Sequence, residues 1–315
     1  MGGTEKVSPR PVVKWAGGKW KLLEQLRERM PDTAFGTYAE PFAGGAAMFF
    51  SLADGRRFER ARLADKNEEL VALYRVIKTD IDALVARLRE ISTAYAAMDQ
   101  EAQRELFYAE RQKKTATMSA VDRGARLLFL NKTCFNGLWR VNSKGVFNTP
   151  FGRYDNPRIL DEDLLRAAHV ALQRAEIVNE DFESVLKGLG PADFVYFDPP
   201  YMPVSKTANF TAYAAEGFGM EEQERLADRM VELRERGVRA MLSNGASPEV
   251  EALYRRHRLH VDRIQARRSI NSDPSKRGEV VELVVTTYDA TGRVQQAPAP
   301  RASTRLRAAK TEAST

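Results

Sequence analysis

The sequence predicts an α/β protein: a largely parallel sheet covered by helices, interrupted by a helical insertion and finished by an antiparallel edge. Three observations point there. Short apolar runs alternate with amphipathic helical patterns, which is the rhythm of βαβ units. Runs such as RARLAD and VYFD stop at an acidic residue, so a carboxylate sits where a strand ends. The rhythm breaks near residue 80 and returns near residue 159.

Taken in order, GGKWKLLEQLRERMP carries Trp20, Leu23, Leu26 and Met30 at helical spacing, and Pro31 closes that helix. GTYAEPF reads as a strand followed at once by the helix GGAAMFFSLA. RARLAD is the next strand, and NEELVALYRVIKT is an amphipathic helix capped by Asn67. From residue 80 to Thr133 the chain is charged and helical without strand signals. Residues 134–158 mix Asn, Gly, Pro, aromatics and cations, as a hairpin-like loop does. DEDLLRAAHVALQRA, AEIVN, DFVYFD, a helix after Gly219, GVRAMLS and a helix near 248–256 restore the alternation. HVDRIQARR and EVVELVVTTY, joined by SINSDPSKRG, suit an antiparallel end to the sheet. There is no internal repeat.

At 315 residues the chain can bury a substantial core. No apolar run reaches membrane-spanning length, and MGGTEKVSPR has no signal-peptide pattern, so the expected compartment is the cytoplasm. One cysteine, Cys134, excludes an internal disulfide framework. His169, His257 and His260 show no metal-ligand spacing, and no metal is expected. The formal charge is +6, but Arg293, Arg301, Arg305, Arg307 and Lys310 against Glu312 place most of it beyond residue 289. Residues 290–315, rich in Ala, Pro, Ser and Thr, read as a disordered basic tail. The overall charge is therefore weak support for a nucleic-acid partner; clusters within the body weigh more.

Three segments sit at successive strand ends. EPFAGGAAMF (40–49) is a strand, a glycine turn and a helix N-terminus, which lets a ligand approach the backbone. Asp65 ends the next strand, 21 positions beyond Gly44, where an acid can bind ribose hydroxyls; a helix cap beside Asn67 is the competing reading. The third is Asp198-Pro199-Pro200-Tyr201. Prolines cannot donate to a sheet ladder, so they end the strand and present Asp198 and Tyr201 at its C-terminal end. An ordinary strand-ending turn accounts for the first three residues and leaves the tyrosine unexplained. The chemistry that uses all four is amine activation. A nucleobase amine is a poor nucleophile because its lone pair is delocalised into the ring. Two acceptors on its N–H bonds, the Asp198 carboxylate and the Pro199 carbonyl, draw the nitrogen toward a tetrahedral, reactive geometry. Tyr201 offers a face on which the base stacks.

KWAGGK (14–19), EPFAGG (40–45), LADKN (63–67), LNKTCFNGLWRVNSKGVFNTPFGRY (130–154), DPPY and NFTAY (209–213) occur here in this order. In that series the chain resembles the Dam-type DNA adenine-N6 methyltransferases, the D12 class of the alpha group, over nearly everything between Val13 and Tyr288. The resemblance implies a class I S-adenosylmethionine-dependent methyltransferase fold: a doubly wound, mostly parallel seven-stranded sheet with an inserted helical DNA-recognition domain. Residues 1–79 and 159–289 would then form the cofactor-binding catalytic domain, and 80–158 the target-recognition domain. It implies an enzyme that moves a methyl group from S-adenosylmethionine to adenine N6 in double-stranded DNA, commonly within GATC. The enzyme would work as a monomer, associated with the nucleoid through its DNA.

By the same resemblance, Trp15, Lys19, Phe42, Gly44, Asp65, Asp181, Phe182 and Asp198 contact the cofactor. Lys14, Leu138, Arg140, Pro150 and Tyr154 match DNA-contact positions, with Arg140 suited to reading guanine. Phe135, beside Asn136, matches an aromatic that fills the stack when the adenine swings out. Arg267, Arg268, Lys276 and Arg277 are expected to face phosphates. The family's turn usually reads Phe-x-Gly-x-Gly, whereas Ala46 stands at its last position here, an exchange expected to alter packing and to spare binding. Cytosine-N4 methylation uses the same amine logic, and RNA methylation is a further relative. A catalytically silent DNA-binding protein of this fold is the rival of another class, disfavoured by the intact carboxylate.

Overall fold

The computed structural model describes residues 7–142, 146–201, 218–267 and 279–289, with Gly292 and Val294. The apolar runs become one sheet. β1 (Phe35–Glu40), β2 (Phe58–Ala64), β3 (Ala175–Val178), β4 (Phe194–Phe197) and β5 (Arg239–Gly245) run parallel. β7 (Glu279–Thr286) lies antiparallel between β5 and β6 (His260–Arg267). The spatial order is β3-β2-β1-β4-β5-β7-β6.

Both sheet faces are covered, so successive strand residues alternate between two apolar layers. Tyr38, Phe194 and Tyr196 face the cluster formed with α2 (Ala47–Asp54), α3 (Glu68–Thr79) and α7 (Glu162–Leu172). Ala39, Val195 and Phe197 face the cluster formed with α8 (Met220–Glu235) and α9 (Pro248–Arg256). The chain leaves β1 for one side of the sheet and returns to begin β4 on the other. The C-terminal ends of β1 and β4 therefore adjoin at a topological switch point, where such sheets bind ligands.

The insertion is helical as expected, comprising α4 (Ile81–Ala96), α5 (Gln100–Gln112) and α6 (Ala120–Thr133). Leu84, Leu88, Phe107 and Phe129 join the same apolar cluster as α3. Asn67 caps α3 by accepting from the Leu70 amide at 3.0 Å. The described residues on either side of 143–145 pair through the antiparallel bridges Cys134↔Phe151 and Val141↔Phe147.

One helix differs from its expectation. Lys19–Leu22 is a 3₁₀ turn and only Leu23–Arg27 is α-helix, α1. The buried positions are Lys19, Leu22, Leu23, Leu26 and Met30, while Trp20 is 51% exposed. Leu23, Leu26 and Met30 are buried as expected, and only the first position of the stripe differs, because the lysine, and not the tryptophan, turns inward. No described helix is long and apolar enough to cross a membrane. Arg268, Lys276, Arg277 and the NFTAY segment lie outside the described residues, as does nearly all of 290–315; Arg267 ends β6, and its side chain is also outside them.

Candidate active site

β4 is buried throughout and its two prolines stop the ladder, which leaves Asp198 at the switch point. Lys19 Nζ lies 2.8 Å from Asp198 Oδ1, donates to the Gly17 carbonyl at 2.7 Å and sits 4.6 Å above the centre of the Tyr201 ring. Ser243, from β5, donates to the same Oδ1 at 3.2 Å, and its hydroxyl is 2.8 Å from that of Tyr196. Tyr201 donates to Glu282 Oε2 at 2.7 Å. Burial pushes the Asp198 carboxyl above the usual carboxylate range; Lys19 opposes that shift and Glu282 adds to it. Among the described residues no hydrogen bond reaches Asp198 Oδ2 or the Pro199 carbonyl oxygen. Within the described residues, the two acceptors that amine chemistry requires are left for a ligand.

The glycine turn follows β1. Gly44 has φ +47°, and a Cβ there would lie 3.0 Å from Trp15 Cδ1, so both its backbone and its neighbour demand glycine. Its amide donates to Asp65 Oδ2 at 2.8 Å and its carbonyl accepts from the Tyr74 hydroxyl at 2.7 Å. Asp65 also accepts from the Asn67 amide, 2.8 Å, so its carboxylate braces the turn from the next strand. Two of the roughly four lone-pair sites of a carboxylate are thereby used, and the rest can serve a hydroxyl. Ala46 adopts the left-handed conformation, φ 51°, which is the physical reason for a glycine at that position in the usual pattern.

Glu40, at the end of β1, is 3% exposed and accepts from Tyr38 Oη at 2.7 Å and the Phe49 amide at 3.0 Å, both on Oε2. Burial raises its carboxyl to about 8. Unfolded, this group releases its proton near the ordinary glutamate value, so between there and about 8 the folded chain holds one more proton. Stability therefore falls as pH rises through that window, by on the order of 1 kcal/mol per pH unit. Glu40→Gln keeps an oxygen for both donors and removes the ionisation. Its melting temperature is expected to decline less steeply than the wild type's from about pH 6 to about pH 8; parallel declines would contradict this role.

Beyond β3, Phe182 stacks on Phe42 with ring centres 5.3 Å apart, and the Arg225 guanidinium covers Phe182 at 4.4 Å. Arg225 also pairs with Asp181, Glu183 and Glu222, and Lys66 lies 3.2 Å from Asp181. Despite partial burial, the Glu183 amide, 3.2 Å from Oδ1, and these cations hold the Asp181 carboxyl below its usual range. The result is a packed aromatic cluster with an acid at its rim, beside the brace formed by Asp65.

The loop after α6 meets the N-terminal segment. Buried Asn131 accepts from the Lys14 amide at 2.9 Å and donates to the Lys14 carbonyl at 2.9 Å and the Gly137 carbonyl at 3.1 Å. Gly137 has φ +65°, and a Cβ there would lie 2.6 Å from Lys14 Cδ, so the lysine crosses the loop at close quarters. Trp15 stacks with Trp139, ring centres 6.3 Å apart. Around this joint Lys14, Asn136, Arg140 and Pro150 are exposed, Phe135 is 53% and Tyr154 37% exposed, and Leu138 is half-buried. Phe135 donates its amide to the Pro150 carbonyl at 2.9 Å, and Arg140 Nε donates to Asn148 Oδ1 at 2.9 Å, which orients the guanidinium.

The model of the D12 class of N6 adenine-specific DNA methyltransferases matches residues 15–270. The chain belongs to that family. It is 40% identical over 289 residues, 90% of this chain and 97% of the relative, to the type II methyltransferase M1.LlaDCHI of Lactococcus lactis subsp. cremoris. It is 38% identical to the type II methyltransferase M.MjaIII of Methanocaldococcus jannaschii, over 89% of this chain and 99% of the relative. To the DNA adenine methylase of Escherichia coli K12 it is 35% identical, over 87% and 94% respectively.

In this D12 methyltransferase the sequence-predicted residues fall into two groups. Trp15, Lys19, Phe42, Gly44, Asp65, Asp181, Phe182, Asp198 and Tyr201 gather at the C-terminal ends of the parallel strands. Lys14, Phe135, Asn136, Leu138, Arg140, Pro150 and Tyr154 lie on or against the loop after α6. Sequence reasoning missed Ser243, Glu282, Glu40, Asn131 and Arg225. Glu282 left a faint signal, a lone acid within the apolar run VVELVV.

Proposed function

We propose that this adenine-specific DNA methyltransferase modifies adenine N6 within GATC in duplex DNA, on a base swung out of the helix. The observation that carries the reading is the pair of oxygens at the strand end, Asp198 Oδ2 and the Pro199 carbonyl, which take no hydrogen bond among the described residues and lie beside the face of Tyr201. A base inside a duplex cannot reach such a recessed edge, so extrusion is required, at a few kcal/mol of lost stacking and pairing. Phe135, large, apolar and exposed, is the ring that takes the vacated space.

Methyltransferases of this α/β family draw the methyl group from S-adenosylmethionine, which supplies it as an electrophile on a sulfonium centre. The residues present fit that group: Asp65 for ribose hydroxyls, the half-buried Phe42 with Asp181 at the edge of the aromatic cluster for the adenine ring, and Trp15, Gly44 and Lys19 along the turn. Asp198 and the Pro199 carbonyl take the two N–H bonds of the target amine and bring its lone pair out of the ring. The Asp198 charge stabilises the positive charge that develops on that nitrogen, and the proton leaves from it afterwards. Positioning and electrostatics supply most of the acceleration.

The 80–158 segment is assigned to target recognition, with Arg140 reading a guanine and Lys14 and Tyr154 helping to seat the site. Arg140→Ala is expected to relax discrimination at one base pair by about 1–3 kcal/mol, in assays of duplexes altered one position at a time. A uniform loss on all duplexes identifies Arg140 as a phosphate contact instead. Base-resolved methylation mapping of DNA from cells with and without the chain tests the site itself: N6-methyladenine confined to GATC supports the reading, and any other motif overturns it.

A further inference from the structure

The Asp198–Lys19 pair has a third member. Glu282, from the antiparallel strand β7, is placed by register between Gly245 and Ile264. Its Oε2 accepts the Tyr201 hydroxyl at 2.7 Å and lies 3.9 Å from Lys19 Nζ. The side chains of Lys19, Glu282 and Asp198 are 4%, 14% and 20% exposed, so these charges act with little screening by water. One ammonium is thus shared between two carboxylates.

That count matters for methyl transfer. Lys19 and Asp198 alone form a neutral pair, with one carboxylate oxygen held by a cation 2.8 Å away. Such a pair has little charge left for a nitrogen that turns positive as it is methylated. A second carboxylate makes the cluster net negative and draws part of Lys19's field away from Asp198. The same oxygen anchors the phenol whose ring is the stacking face.

We infer that Glu282 is a positioning residue for the transfer step: it shares Lys19 with Asp198, leaves the site one negative charge in surplus and fixes the plane of Tyr201. The inference rests on the assignment of Asp198 and Tyr201 to the target amine. It deepens that assignment by giving a role to a residue far along the chain from both.

The test compares the full-length wild type with Glu282→Gln, Glu282→Ala and Tyr201→Phe. Each is measured for binding to a GATC duplex and for single-turnover methyl transfer between about pH 5.5 and about pH 9. Glu282→Gln keeps an oxygen for the Tyr201 hydroxyl and loses only the charge. It is expected to bind DNA like the wild type while the plateau rate falls about tenfold or more. Glu282→Ala falls further, and Tyr201→Phe, which keeps the ring, loses only about two- to fivefold.

The pH profile separates positioning from bracing. The groups facing Asp198 are Lys19 from the 3₁₀ turn, Glu282 from β7, Glu40 and Tyr38 from β1, Ser243 from β5, and Tyr196 and Tyr201 along its own segment. Glu282 raises the Asp198 carboxyl, so its removal moves the acid limb of the profile to lower pH while the plateau drops. A brace that merely holds the loop would lower the rate without moving the limb. An unchanged rate and limb in Glu282→Gln overturns the inference, as does a rate loss matched by lost DNA binding. Asp198→Ala run alongside keeps the two claims apart: if it is dead while Glu282→Gln is normal, only this inference fails, and if it is active the assignment beneath it fails.

Discussion

Asp198→Ala is expected to abolish methyl transfer, by about a thousandfold or more, while affinity for a GATC duplex stays near that of the wild type. The substitution removes both the amine's acceptor and the negative charge beside the developing cation. It removes nothing from the loop that carries Arg140, Phe135 and Tyr154. The fold tolerates it because Lys19 keeps the Gly17 carbonyl at 2.7 Å and Glu282 within 3.9 Å. Transfer of a labelled methyl group to the duplex, measured beside equilibrium binding, checks both halves. Near-normal turnover would remove the mechanism, and a parallel loss of binding would show that the site is part of the DNA grip.

Lys19→Ala is the second large effect, and it has a distinctive pH signature. The substitution strips the cation from two partly buried carboxylates. Burial already lifts the Asp198 carboxyl, Lys19 is the group that opposes the lift most, and Glu282 reinforces it. Without the lysine the Asp198 carboxyl rises further, so the acid limb of the rate profile moves to higher pH. Stability moves the other way. A carboxyl whose folded value lies above its unfolded one loses stability as pH rises, so the variant weakens further where its activity returns. Leaving a buried charge without its partner costs about 3 kcal/mol at neutral pH, read as a lower urea midpoint. An unshifted pH–rate profile would show that Lys19 serves only the cofactor.

How much of the molecule was legible in the sequence depends on whether a feature is local. The strand ends were legible because apolar runs stop at Asp65 and Asp198, while the glycine turn after β1 and the prolines after Asp198 break the chain's direction there. The parallel core came from the alternation of elements, and the antiparallel edge from two strands with no helical pattern between them. Lys19 was harder. Trp20 offers the better apolar match to a helical stripe, and only the ion pair with Asp198 explains why the lysine is the buried residue. Ser243 was not legible and Glu282 showed only as a lone acid in an apolar run, since they reach Asp198 and Tyr201 through sheet order and register, 45 and 81 positions away along the chain. Asn131 was quoted within a motif, but its role as the clip on Lys14 spans 117 positions and needs the fold. The meaning of Ala46 came from a single dihedral angle that composition cannot show.

The most direct test is a crystal structure of this protein with a non-transferable analogue of its methyl donor and a GATC duplex. The mechanism predicts the adenine outside the helix, against Tyr201, with N6 about 3 Å from both Asp198 Oδ2 and the Pro199 carbonyl oxygen. An adenine still stacked in a closed complex, or one whose N6 meets neither oxygen, would contradict it.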